Sequence, residues 1–235
     1  MIKLKILGFT GLLIFLLSEL FSCNDEELIG YGQGDAFITI KVEQNDTLYG
    51  LALHSFGNKN FGSVTSTDED NTLYTLDSYN GSSYEYFHET DDEFLSESIP
   101  KIGEYTFAYT FKNGETDSDI DNLTENCIYP TTITTCEYDT TEEEINLEWE
   151  INGDADFIVI YLNDKNGNTT FISNSINGST TSYSISSDTE YWGDYTPVDG
   201  EEYTVTIYMY LYETNEEDIN IQCRAENTST VIWGE

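Results

Sequence analysis

Glu144-Ile145-Asn146-Leu147-Glu148-Trp149-Glu150-Ile151-Asn152-Gly153-Asp154 alternates apolar with acidic or amide side chains and then turns. Successive side chains of an extended chain point to opposite faces, so Ile145, Leu147 and Trp149 share one face, as a strand with one buried side requires. Asn152-Gly153-Asp154 reverses the chain, and Phe157, Val159 and Tyr161 alternate in the same way on the next strand. Thr181-Ser182-Tyr183-Ser184-Ile185 reads as a third strand, and Pro197-Val198-Asp199-Gly200 leads into a fourth over Glu201–Ile207. Short strands parted by Gly, Asn and Asp turns predict an antiparallel sandwich.

On these residues the second half resembles a fibronectin type III domain over about residues 129–233. The resemblance implies that Trp149 is the core tryptophan of the second strand. It makes Tyr203 the corner tyrosine, its ring inward and its hydroxyl on an upstream backbone group. Two features depart from the family. Eleven residues part Ile185 from Pro197, and the last predicted strand ends at Glu213 before Thr214-Asn215-Glu216-Glu217-Asp218. A second resemblance, through Asp154-Ala155-Asp156-Phe157 and Asn163-Asp164-Lys165-Asn166-Gly167, is to jelly-roll modules that follow secreted peptidases.

Toward the N-terminus the period of two returns. Phe37, Thr39 and Lys41 point one way, and Ile38, Ile40 and Val42 the other. Further strands are expected at residues 48–53, 73–79, 84–88 and 105–112, with turns at Phe56-Gly57-Asn58-Lys59-Asn60 and Tyr79-Asn80-Gly81-Ser82. Pro100-Lys101-Ile102-Gly103-Glu104-Tyr105-Thr106-Phe107 echoes the approach to Tyr203. The chain is therefore expected to be all-β, with two tandem antiparallel Ig-like or fibronectin III-like sandwiches over residues 35–127 and 128–235.

The first 22 residues are of another kind. Lys3 and Lys5 precede an apolar run from Ile6 to Leu17, and the segment closes on Leu20-Phe21-Ser22-Cys23. A run of this length falls short of the roughly 20 residues that cross a bilayer and reads as a signal peptide over residues 1–22. It resembles the signals of bacterial lipoproteins, which implies lipidation of Cys23. The following Asn24-Asp25-Glu26-Glu27 resembles the acidic tag that routes some Gram-negative lipoproteins outward. The expected location is the outer membrane, lipid-anchored and facing out. Leu28-Ile29-Gly30-Tyr31-Gly32-Gln33-Gly34 is expected to complete a flexible tether over residues 23–34.

The chain has 45 Asp and Glu against 8 Lys and Arg, a formal charge of -37, so nucleic acid and anionic lipid surfaces are excluded as partners. With His54 and His88 its 2 histidines, and no G-x-S-x-G, G-x-x-x-x-G-K or H-E-x-x-H, the sequence predicts no enzyme.

Three groups of residues remain as candidate sites. Asp117-Ser118-Asp119-Ile120-Asp121-Asn122 sets carboxylates at alternate positions, the opening of a Ca²⁺ loop, but Asn122 and Ile128 stand where an EF-hand needs Gly and Glu. Tyr191-Trp192-Gly193-Asp194-Tyr195, within the long link before Pro197, could stack on sugar rings or fold back over the sandwich end. Among Cys127, Cys136 and Cys223, pairing of Cys127 with Cys136 closes a short loop, and pairing of Cys136 with Cys223 joins the first and last strands of the second half. All three could instead be small buried thiols. The reading that results is a non-catalytic binding or scaffolding lipoprotein for an extracellular glycan or protein. Its alternatives are a structural accessory of an outer-membrane complex or a secreted hydrolase.

Overall fold

The computed structural model describes residues 28–43, 46–193, 195–213 and 220–235; the signal segment, Cys23, the acidic residues after it, Asp194 and residues 214–219 lie outside these. The N-terminal half contains β1 (Gly32–Glu43), β2 (Asp46–Gly57), β3 (Phe61–Thr67), β4 (Leu73–Ser78), β5 (Glu85–Glu89), β6 (Gly103–Phe111) and β7 (Thr116–Leu123). β1, β2 and β5 lie side by side in one layer, and β4, β3, β6 and β7 in the other. β4 joins the layers only through Asp77 with Phe87 and Ser78 with Tyr86.

The C-terminal half contains β8 (Tyr129–Asp139), β9 (Glu144–Asn152), β10 (Phe157–Asn163), β11 (Thr169–Ile172), β12 (Ile176–Asn177), β13 (Ser182–Ser186), β14 (Glu202–Tyr212) and β15 (Ile221–Ile232). Its order is β8-β9-β13 in one layer and β11-β10-β14-β15 in the other, with β12 a second short partner of β10. Counting β11 and β12 as one broken strand, both halves share one connectivity. The first, second and fifth strands face the fourth, third, sixth and seventh. The chain is thus all-β, two fibronectin III-like sandwiches in tandem.

The echo before Tyr105 and Tyr203 has a structural counterpart, because each opens the sixth strand of its half and is fully buried. The Tyr203 hydroxyl accepts the Val198 N–H at 3.1 Å, and the Tyr105 hydroxyl donates to the Lys101 carbonyl at 2.6 Å. Both bonds tie the incoming turn to the core end of the strand. Trp149 is buried beside Ile145 and Leu147 on β9. On β10 the core takes Ile158, Ile160 and Leu162, leaving Phe157, Val159 and Tyr161 half-buried on the other face.

The described part of the expected tether, residues 28–34, leads directly into the first strand. β1 begins at Gly32, and the edge that starts just before it is met by the side chains of Glu115 and of β7 rather than by backbone. Gly30, Gly32, Gly34 and Ala36 donate their N–H groups to the carboxylates of Glu115, Asp117, Asp119 and Asp121 at 2.8, 2.9, 2.9 and 2.7 Å. Glycine is needed here for close approach. A Cβ on Gly32 would sit 2.6 Å from the Tyr109 ring, and one on Gly34 would overlap Phe107. From Ile38 onward the same edge pairs in parallel with β15, Ile38 with Cys223 through Lys41 with Glu226. This parallel ladder departs from the antiparallel expectation and merges the two halves into one continuous sheet. It also covers edges that would otherwise be open to other strands.

Candidate ligand-binding face

Register decides which side chains share the outer face of the joint sheet. Phe157 pairs with Tyr210, Val159 with Tyr208, Tyr208 with Glu226, Arg224 with Thr39, and His54 with both Asp35 and Phe87. Paired residues of neighbouring strands point the same way. This face therefore carries aromatic rings from β10 and β14, charged groups from β15, and rings again from β2 and β5.

Phe157 stacks on Tyr210 with centroids 4.5 Å apart and planes at 1°, Tyr212 lies 5.1 Å from Phe157, and Tyr161 meets Tyr208 edge-on at 5.0 Å. Across β1, the His54 ring lies 6.0 Å from Phe87, 6.2 Å from Phe56 and 6.3 Å from Tyr79. Tyr79, on the turn after β4, belongs to this second cluster, with its ring 5.5 Å from Phe87. Burial pushes the hydroxyls of Tyr208 and Tyr210 well above the ordinary tyrosine range, so both stay neutral donors. Phe56 and Tyr79 are 44% and 43% exposed, and the other rings are half-buried.

Arg224 forms the floor of this face. Its guanidinium lies 5.3 Å from the Tyr208 ring and 5.9 Å from Phe37, and pairs with Glu89 at 2.5 Å and Glu226 at 3.8 Å. Burial works against its charge, but Glu89 and its other neighbours outweigh that and raise its pKa. Lys41 is held by Asp92 at 2.7 Å and Glu226 at 3.2 Å. Both cations are spent internally, so neither offers a free charge to an anionic ligand.

The residues singled out from sequence lie elsewhere. Trp192, in a 3-10 turn at Glu190–Trp192, is 5% exposed, and its Nε1 donates to the Ser186 carbonyl at 2.8 Å. It packs against Phe171, Trp233 and Tyr195 at 5.2, 5.4 and 6.0 Å. The Tyr195 hydroxyl meets that of Tyr203 at 2.8 Å, and Tyr191 is 37% exposed. A ring enclosed on these sides has no face for a sugar. The long link supplies a lid to the sandwich, and Asp194 lies outside the described residues.

Asp117, Asp119 and Asp121 lie on strand β7, not in a loop. Each carboxylate already takes a backbone N–H of β1. Among the described residues no group of three or more His, Cys, Asp or Glu is placed to hold a metal. Cys127 and Cys136 are both free, and they are turned to different partners, Cys127 to Cys223 and Cys136 to the Thr230 carbonyl at 3.8 Å.

The aromatic face had a signal in the sequence that alternation obscures. Phe157–Leu162 is apolar at every position, and Tyr208, Tyr210 and Tyr212 interleave with Ile207, Met209 and Leu211. A strand apolar on both sides carries an apolar outer face as well as a core face.

No family model and no curated protein matches the chain. Among solved structures it is similar to a two-domain fibronectin type III segment of chicken tenascin, 12% identical, TM-score 0.31, covering 85% of this chain and 99% of that one. It is also similar to a tetra-tandem repeat in the extending region of a large adhesion protein, 18% identical, TM-score 0.28, covering 84% and 49%. A third similarity is to the BSP domain of a biofilm-associated protein, 14% identical, TM-score 0.25, covering 86% and 29%. At these values the fold assignment rests on the chain's own strand order.

Proposed function

We propose that this chain is a non-catalytic binding module, exported by its leader, lipidated on Cys23 and displayed on the outer membrane, and that it binds a neutral glycan on the aromatic face of the joint sheet. The carrying observation is the two clusters of half-exposed rings, Phe157, Tyr161, Tyr208, Tyr210 and Tyr212 on one half and His54, Phe56, Tyr79 and Phe87 on the other, which one sheet sets on the same face. Ring faces stack on the apolar faces of sugars, while His54, Glu85 and the neutral tyrosine hydroxyls supply hydrogen bonds. The formal charge of -37 and the paired state of Arg224 and Lys41 favour a neutral over an acidic polysaccharide. No described helix is long and apolar enough to cross a membrane. A lipid on Cys23 would supply attachment without one.

Calorimetric titration with neutral and acidic oligosaccharides tests the face. Binding of a neutral glycan that weakens at least tenfold in Tyr79→Ala/Tyr161→Ala supports the reading. Binding unaffected by that double substitution, or confined to a protein captured from outer-membrane extract, overturns it. Incorporation of an alkyne-palmitate label that Cys23→Ala abolishes tests the anchor separately.

A further inference from the structure

The link between the two halves is fastened along the start of β15. Gln222 Nε2 donates to the Thr124 carbonyl at 2.9 Å, while Thr124 Oγ1 donates to Gln222 Oε1 at 2.7 Å. Further on, Asn227 Nδ2 donates to the Thr131 carbonyl at 2.7 Å. Between these clamps the Cys223 thiol points at the Ile128 carbonyl, 3.9 Å away, which sets it beside the adjoining residue Cys127. Cys136 lies farther along, against Thr230.

We propose that Cys127 and Cys223 form a disulfide that locks the inter-half link onto the last strand. The two clamps hold the link along β15 on both sides of Cys127, which keeps it next to Cys223. The two sulfurs differ in access. Cys223 is fully buried, whereas Cys127 is partly exposed. The neighbouring Cys223 lowers the Cys127 pKa, while Cys127 together with burial raises that of Cys223, which makes Cys127 the first nucleophile.

The oxidant is a disulfide, either a small molecule such as oxidised glutathione or an exported protein dithiol oxidase. The Cys127 thiolate attacks one of its sulfurs, a mixed disulfide forms, and the other sulfur leaves as thiolate. Cys223, losing its proton, then attacks the Cys127 sulfur and expels the second oxidant sulfur. Two cysteines give up two electrons and two protons, and one oxidant disulfide becomes two thiols. In the cell this step depends on the exported location proposed above.

The test oxidises the purified full chain in a glutathione redox buffer, alkylates the remaining thiols and maps peptides by mass spectrometry. The expected product is a linked pair of peptides holding Cys127 and Cys223, about 2 Da lighter than the reduced pair, with Cys136 alkylated. The bridge should survive in Cys136→Ser, and reductant should lower the Tm of that variant by about 5–10 °C while leaving Cys127→Ser unmoved. Alkylation of both Cys127 and Cys223, or any dominant pairing through Cys136, overturns the proposal. Mapping the protein exported by its own leader separates the two claims. A bridge formed in the redox buffer but absent from that material refutes the compartment and leaves the pair standing.

Discussion

Single residues here are fixed by what surrounds them more than by their own propensity. Gly34 is extended and needs no special backbone angle, yet the Phe107 ring occupies the space of a Cβ. Gly34→Ala should therefore cost about 1–3 kcal/mol in urea denaturation, as overpacking does. Trp192 shows the opposite relation, a large ring in a turn whose neighbours enclose it. Trp192→Ala should cost about 3–5 kcal/mol, the usual range for removing a buried aromatic, and leave glycan affinity unchanged. Loss of binding in a folded Trp192→Ala protein would return the ligand to the link. Tyr203→Phe, which strips the Val198 N–H of its acceptor, should cost about 1 kcal/mol.

Among the elements, β7 is the one whose role is least apparent in isolation. Its acidic positions read as ligands because Asp-x-Asp-x-Asp is the opening of a Ca²⁺ loop. The partner that explains them, the glycine-rich start of β1, lies 85 residues away in sequence. Carboxylates on one edge and glycine N–H groups on the other replace a backbone ladder. Asp119→Ala leaves the Gly34 N–H unpaired and should cost about 1–3 kcal/mol. Calcium titrated into the folded protein should give no heat that this substitution removes. β10 and β14 teach a similar lesson. The alternation of Phe157, Val159 and Tyr161 is real, but Ile158, Ile160 and Leu162 between them are equally apolar. Only the opposing layer decides which set is core.

At the scale of the whole molecule, acidity and the joint sheet meet in one place. Asp35, 7% exposed, accepts the Ile221 N–H at 3.0 Å, and burial, then the charges of Asp121 and Glu213, push its pKa well up. Asp121 is raised too, chiefly by burial. A carboxyl whose folded pKa exceeds its unfolded value binds more protons when folded, so its contribution to stability grows as pH falls through the folded pKa and is complete below the unfolded one. Glu115 behaves oppositely. Lys59 and the Gly30 N–H lower its pKa, and that contribution is lost as pH falls below about 4.5. The Tm should rise from pH 8 to pH 5 and fall again below about pH 4. Asp35→Asn should flatten the upper limb. An unchanged slope in that variant would show that the general charge of -37, not this buried carboxyl, governs the acid response.

The sequence by itself determined that the chain is all-strand and built as two sandwiches, since period-two alternation and turn residues act over a few positions. The same local reasoning marked Tyr203 and Trp149, whose burial follows from where they sit on their strands. Only the tertiary structure decided that β1 of one half completes the sheet of the other, that β7's carboxylates hold glycine amides, and that Cys127 faces Cys223. It alone placed the aromatic rings of both halves on one face. Each of these depends on which distant edges meet, and a strand edge presents the same N–H and C=O groups whatever its side chains. Side-chain pattern therefore specifies faces, whereas the pairing of edges is settled only when the whole core has closed.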